Sequence, residues 1–209
     1  MASLSASGPD AGPWLVVGLG NPGPSYAGHR HNVGYRVVDA LTPQLGSSAP
    51  GGLRAHKSGR AEVFEGRLGV PGQPGPRVIA GRGRSYMNNS GGPVAGLLDF
   101  YKVSAERLVV VHDELDLDFG VVRLKLGGGD NGHNGLRSIR SALGTGDFFR
   151  IRMGVGRPPG RQDVADFVLS DYRASEATEL AVQIERGADA VVSLISLGLE
   201  RTQNLVHGS

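Results

Sequence analysis

The stretch Trp14-Leu15-Val16-Val17-Gly18-Leu19-Gly20-Asn21-Pro22-Gly23-Pro24 decides how this chain is read. Residues 14–19 are apolar without alternation, the pattern of a strand covered on both faces. Gly18, Gly20 and Gly23 complete a GxGxxG spacing directly after it, and Asp39 lies about the right distance on for a dinucleotide-binding fold. Pro22 and Pro24 speak against that fold, because they stand where its fingerprint needs a helix start with free N–H donors. Asp39 also falls inside a helical pattern. The other reading is a rigid turn that presents Asn21 at the carboxyl end of a strand, where open α/β sheets place their ligands.

Residues 31–45 carry helical spacing at Val33, Val37, Val38, Leu41 and Leu45. Residues 46–59 read as a loop with room for a short strand. Residues 61–68 and 77–80 read as strands, with 69–76 as a hairpin connection. Ser90 is a favourable N-cap for a helix that carries Val94, Leu97, Leu98 and Tyr101 on one stripe. Residues 108–111 form a short apolar strand that ends at His112-Asp113. Residues 121–126 set Arg123 and Lys125 against apolar neighbours, as a half-exposed strand does. A helix over 133–143, a strand over 149–155 and a long helical pattern over 174–200, with room for a break, follow. Strands alternating with helices predict an α/β fold, and the hairpin predicts a mixed sheet. The expectation is a single domain over residues 14–200, a twisted mixed β-sheet flanked by helices on both faces. Residues 1–13, rich in Ser, Ala, Gly and Pro, are expected as a disordered extension, and 201–209 as a tail.

The chain has 209 residues, a length suited to one domain. It has no Cys, which excludes a disulfide framework, thiolate-bound zinc and a cysteine nucleophile. No apolar run approaches the ~18 residues of a membrane span. The first 13 residues lack the basic region of a signal peptide, so a cytoplasmic location is expected. The net charge of +2 conceals an uneven distribution. Residues 53–84 carry +5, 85–118 carry −4, 119–161 carry +6 and 162–209 carry −5. Basic blocks beside an acidic block fit either a polyanion-binding face next to a site that uses carboxylates, or a mixed solvated surface.

Histidines and acids supply the candidate chemistry. His29-Arg30-His31 and His112-Asp113-Glu114 can be read as metal ligands. They can also be read as a general base whose tautomer a carboxylate fixes, with Asp113 the favoured partner because it follows a buried strand. The run Asp113-Glu114-Leu115-Asp116-Leu117-Asp118 is otherwise an ordinary solvated loop. The glycine-rich Gly127-Gly128-Gly129-Asp130-Asn131-Gly132-His133-Asn134-Gly135 precedes a helix, and such loops can offer N–H groups to anions. No Gly-Lys-Ser/Thr ends it, so it is not a Walker A loop. Asn21, Asn88 and Asn134 stand at turns, where asparagine is common. Their amides also suit recognition of a peptide backbone or an oxyanion.

Taken together these segments resemble bacterial-type peptidyl-tRNA hydrolases. The resemblance is carried, in order, by Val17-Gly18-Leu19-Gly20-Asn21-Pro22-Gly23, Tyr26, Arg30-His31-Asn32-Val33-Gly34, Tyr86-Met87-Asn88, Ser90-Gly91, His112-Asp113-Glu114-Leu115-Asp116, Lys125-Leu126-Gly127-Gly128-Gly129, Gly132-His133-Asn134-Gly135 and residues 150–156. It runs from about residue 14 to 195. It implies a metal-free, cofactor-free cytoplasmic monomer that hydrolyses the ester between a peptide and the tRNA 3′ end and so recycles tRNA, an activity of the EC 3.1.1.29 type. By the same resemblance His31 is the general base on water, Asp113 orients it, and Asn21 completes the catalytic set. Tyr26, Met87, Asn88, His133 and Asn134 line the groove for the peptide and the terminal adenosine. Arg123, Lys125 and Arg152 meet the acceptor stem and its 5′ phosphate. Two departures stand out: Arg82-Gly83 where the family usually has Lys-Pro, and His29 where Thr is usual. Two competing functions, a His/Asp metallohydrolase and a non-catalytic RNA-binding module, differ from this one in chelator sensitivity and in peptide release.

Overall fold

The computed structural model describes residues 12–46, 51–70 and 72–207. The expected disorder of residues 1–13 falls almost wholly outside them. Strand β1 (Trp14–Gly18) lies at the middle of a seven-stranded sheet with β2 (Arg54–Ala55), β3 (Ala61–Val70), β4 (Gln73–Gly83), β5 (Leu108–Glu114), β6 (Val122–Leu126) and β7 (Phe149–Gly154). The order is β2-β3-β4-β1-β5-β7-β6. The four central strands are parallel, and both flanks are antiparallel. This is the mixed sheet that the hairpin predicts. The hairpin strands are longer than the apolar pattern suggested, because β3 and β4 stay paired well beyond their buried residues.

The helices are α1 (Val33–Leu41), α2 (Gly91–Tyr101), α3 (Asn134–Leu143), α4 (Val164–Val168), α5 (Ala177–Leu197) and α6 (Leu199–His207). The uniform apolar character of β1 divides into two cores by strand alternation. Val16 packs with Val37, Val38 and Leu41 of α1 and with Val191 and Leu194 of α5. Leu15 and Val17 pack with Val94, Leu97 and Leu98 of α2 and with Leu136 and Ile139 of α3. The connection from β1 to β4 begins with α1 on one face, and the return from β4 to β5 runs through α2 on the other. Winding therefore reverses at β1, and a crevice opens at the carboxyl ends of β1 and β5.

Local details differ from expectation. Ser90 does not cap α2 with its side chain; its hydroxyl donates to Met87 O at 2.7 Å. The long helical pattern has its break at Gly198, as its reading allows, but residues expected as a tail continue as α6 beside β6. Gly18 and Gly34 serve close packing between the end of β1 and the start of α1. A Cβ on Gly34 would stand 2.4 Å from Val111 O and 2.5 Å from Leu19 N. Among the described residues no helix is long and apolar enough to cross a membrane.

Candidate active site

The crevice holds a cleft of about 700 Å³ lined by Asn21, His31, Met87, Asn88, Asp113, His133 and Asn134, among others. Asn21 follows β1, and His31 lies in a 3₁₀ turn over Arg30–Asn32 just before α1. Asp113 comes from β5, Met87 and Asn88 from a 3₁₀ turn over Met87–Asn89, and His133 and Asn134 from the start of α3. Seven of the eight residues that the resemblance placed at the catalytic centre and groove line this cleft, all but Tyr26, and His133 takes on an added role described below.

His31 Nδ1 donates to both oxygens of Asp113, at 2.8 and 2.9 Å. That leaves Nε2 as the nitrogen with the free lone pair. Burial works against the charged imidazole, but the charge of Asp113 and its hydrogen bond outweigh this and raise the His31 pKa above its ordinary value. Asp113 is held well below the usual carboxylate range. Its own burial opposes ionisation, yet His31 and His133 together more than offset it.

His133 joins Asp113 through Nε2, 3.0 Å from Oδ1. Its Nδ1 accepts from the backbone N–H of Gly135 and Leu136, so His133 is also the N-cap of α3. A ring nitrogen that accepts two N–H groups carries no proton, which puts the hydrogen on Nε2. Both nitrogens are thus engaged, and His133 acts on Asp113 as well as lining the groove. His112 is fully enclosed and edge-on to His133. It donates from Nδ1 to Asp113 O at 2.7 Å, and burial followed by the neighbouring His133 pushes its pKa well down.

Among the described residues, His31, Asp113 and His133 form the group of donor atoms, within 4.8 Å of one another, that could hold a metal ion. The cap argues against this use. A metal on His133 Nε2 would move the ring proton to Nδ1, against the two N–H groups it now accepts. The residues fit a hydrogen-bonded relay better than a metal cage.

Asn21 is held from three directions. Asn32 accepts from Asn21 N at 3.0 Å and donates to Asn21 O at 2.9 Å, and Met87 N donates to Asn21 Oδ1 at 2.8 Å. With Oδ1 fixed on Met87, the Nδ2 donor is the end of the amide turned to other partners. Asn88 and Asn134 are exposed at the cleft rim. Tyr26 does not line the cleft; it packs edge-on against Tyr86, ring centroids 6.0 Å apart. Asp39 pairs with Arg82, which also binds Glu62, so the dinucleotide reading has no ribose-binding acid. His29 packs on Tyr26 and lies 3.9 Å from Asp171.

Arg123 and Arg152 stand opposite each other across β6 and β7, as do Lys125 and Arg150. All four therefore share one face of the sheet. Arg152 donates to Glu114 at 2.8 Å. Burial, then Arg152 and Arg150, lower the Lys125 pKa. Arg150 is enclosed, and its guanidinium donates to the carbonyls of Gly128, at 2.7 Å, and Gly129. The glycine-rich loop thus turns carbonyls inward to a cation, where the sequence suggested N–H groups turned to an anion.

Several contributors have no role assigned from the sequence. Asn32 looks like one more polar helix-start residue. Arg30 lies between the rings of Phe167 and Tyr172 and pairs with Glu176 at 2.7 Å, which ties the His31 turn to the segment before α5. Leu115, Val164, Val168 and Leu169 give the cleft an apolar wall.

A family model described as peptidyl-tRNA hydrolase matches residues 15–209. Among curated proteins, the peptidyl-tRNA hydrolase of Frankia alni is 59% identical over 198 residues, 95% of each chain. That of Streptomyces coelicolor is 56% identical, over 93% of this chain and 96% of its own. The crystal structure of peptidyl-tRNA hydrolase from Acinetobacter baumannii is 34% identical, covers 93% of this chain and 94% of its own, and superposes with a TM-score of 0.78. With the dyad, the amides and the crevice all in place, the chain belongs to the peptidyl-tRNA hydrolase family.

Proposed function

We propose that this enzyme hydrolyses the ester between a peptide and the tRNA 3′ end by attack of a water that His31 deprotonates. The observation that carries the mechanism is the His31–Asp113 pair, with its proton on Nδ1 and its free lone pair on Nε2 at the cleft. Water adds to the ester carbonyl while Nε2 takes its proton. The tetrahedral intermediate collapses, the C–O bond to the ribose breaks, and the leaving 3′ oxygen takes the proton back from Nε2. A free peptide carboxylic acid, ionised at neutral pH, and a tRNA 3′ hydroxyl result. Such a base contributes roughly 10²–10⁴-fold. The Nδ2 group of Asn21 is the donor for the developing oxyanion, an interaction worth about 3–4 kcal/mol. Asn88 and Asn134 at the rim hold the substrate backbone. Arg123, Lys125 and Arg152 grip the acceptor stem and 5′ phosphate, supported by their shared face.

The test is release of an N-blocked aminoacyl group from tRNA. His31→Ala is expected to lose at least about 10²-fold in kcat with KM nearly unchanged. Turnover at the wild-type rate would remove His31 from the mechanism. Activity that survives excess EDTA separates this chemistry from metal-assisted hydrolysis, and tRNA binding without release would mark a non-catalytic module.

A further inference from the structure

Strand β6 is an edge of the sheet, and edge strands leave backbone groups open. Here α6 closes that edge with side chains. His207 Nε2 accepts from Leu124 N at 2.9 Å, and Gln203 Nε2 donates to Leu124 O at 3.0 Å. The two side chains fill both hydrogen-bonding positions that a neighbouring strand residue would fill. Leu124 is the centre of a five-residue strand, and its immediate neighbours are Arg123 and Lys125. Arg123 is held again by Val206, whose carbonyl accepts from its guanidinium at 3.4 Å. A cation at the last turn of a helix is a favourable placement. The bond from Leu124 N requires His207 to be neutral. Burial, then Arg123 and Arg152, lower its pKa and keep it so.

We propose that Gln203 and His207 are positioning residues for the tRNA grip: they pin the backbone of β6 so that Arg123 and Lys125 meet the phosphates already aligned. Without them the edge frays, and binding has to order both cations as well as dock the tRNA. The effect belongs to substrate affinity, because the strand lies apart from the His31–Asp113 pair. This inference rests on the reading of Arg123 and Lys125 as tRNA contacts.

The experiment compares the full-length wild type with the Gln203→Ala/His207→Ala double variant, with His207→Gln and with Arg123→Ala/Lys125→Ala. Steady-state kinetics on N-blocked aminoacyl-tRNA is run beside hydrogen exchange of the Leu124 amide. The α6 double variant is expected to exchange Leu124 faster and to raise KM about five-fold, the worth of roughly one hydrogen bond, with kcat unchanged. His207→Gln retains an acceptor and is expected to recover most of the KM. Faster exchange with an unchanged KM overturns the proposal, and so does an equal loss in kcat. An unchanged KM in Arg123→Ala/Lys125→Ala would show instead that the tRNA grip lies elsewhere, a failure of the underlying reading. A raised KM there and none in the α6 double variant would sink the α6 assignment alone.

Discussion

At His31 the proposed chemistry turns on the position of one proton. Asp113 holds the hydrogen on Nδ1, and the pair raises the pKa above the ordinary 6.5. The proposed mechanism needs the neutral ring, so kcat/KM is expected to climb with pH through that raised value and then level off. Stability runs the other way. The charged pair contributes fully below the unfolded histidine value, and that contribution is lost as pH rises through the folded one. Asp113 adds stability that is present above about 3.8 and lost as pH falls through its own depressed value. Asp113→Asn is expected to move the midpoint of the pH–rate profile downward and to cut kcat at least about 10²-fold, read in the same release assay. A midpoint that stays in place would mean that Asp113 does not set the His31 pKa. The identity of these residues was legible in the sequence. The hydrogen bond on Asp113 from a second histidine, His133, was not, since it depends on where α3 begins in space.

At the scale of elements, glycine proves to be mainly a packing residue around the site. Gly34 sits against Val111 O and the backbone of Leu19, so the turn that carries His31 can press onto the ends of β1 and β5. A methyl group there meets backbone on every side and cannot rotate away. Gly34→Ala is expected to destabilise the fold by about 1–3 kcal/mol. Thermal melting reads this as a loss of roughly 2–4 °C per kcal/mol. An unchanged Tm would mean that β1 and α1 part more easily than their contact implies. Strand and helix types followed from apolar periodicity, because each element buries a definite face. The boundaries followed less well. Ser90 looked like a cap, yet its hydroxyl bonds back to Met87. The helical pattern over 174–200 could not reveal that residues beyond Gly198 fold back onto β6, because that contact is tertiary.

Over the whole molecule, the alternating charge blocks become neighbouring strands. The acidic block contains β5, which pairs with β7, and β7 pairs with β6, both from the basic block. Glu114 and Arg152 thereby form an ion pair beside Asp113. Replacing Arg123 and Lys125 together is expected to weaken tRNA binding and to flatten its dependence on salt, by a slope of about one to two for the phosphates released. Binding measured over a salt series checks this, and an unchanged slope would place the phosphate contacts on another surface. The sequence by itself determined the α/β alternation, the mixed sheet and the residues able to carry the chemistry, because side-chain periodicity and residue type are local properties. Only the tertiary structure decided that Asp113 meets His31, 82 positions away, and His133, 20 positions away. It also decided that Asn32 and Met87 fix the Asn21 amide, and that Arg150 fills the glycine-rich loop. Those contacts depend on strand order, which the packing of two cores on opposite faces of β1 sets, and no local period encodes it.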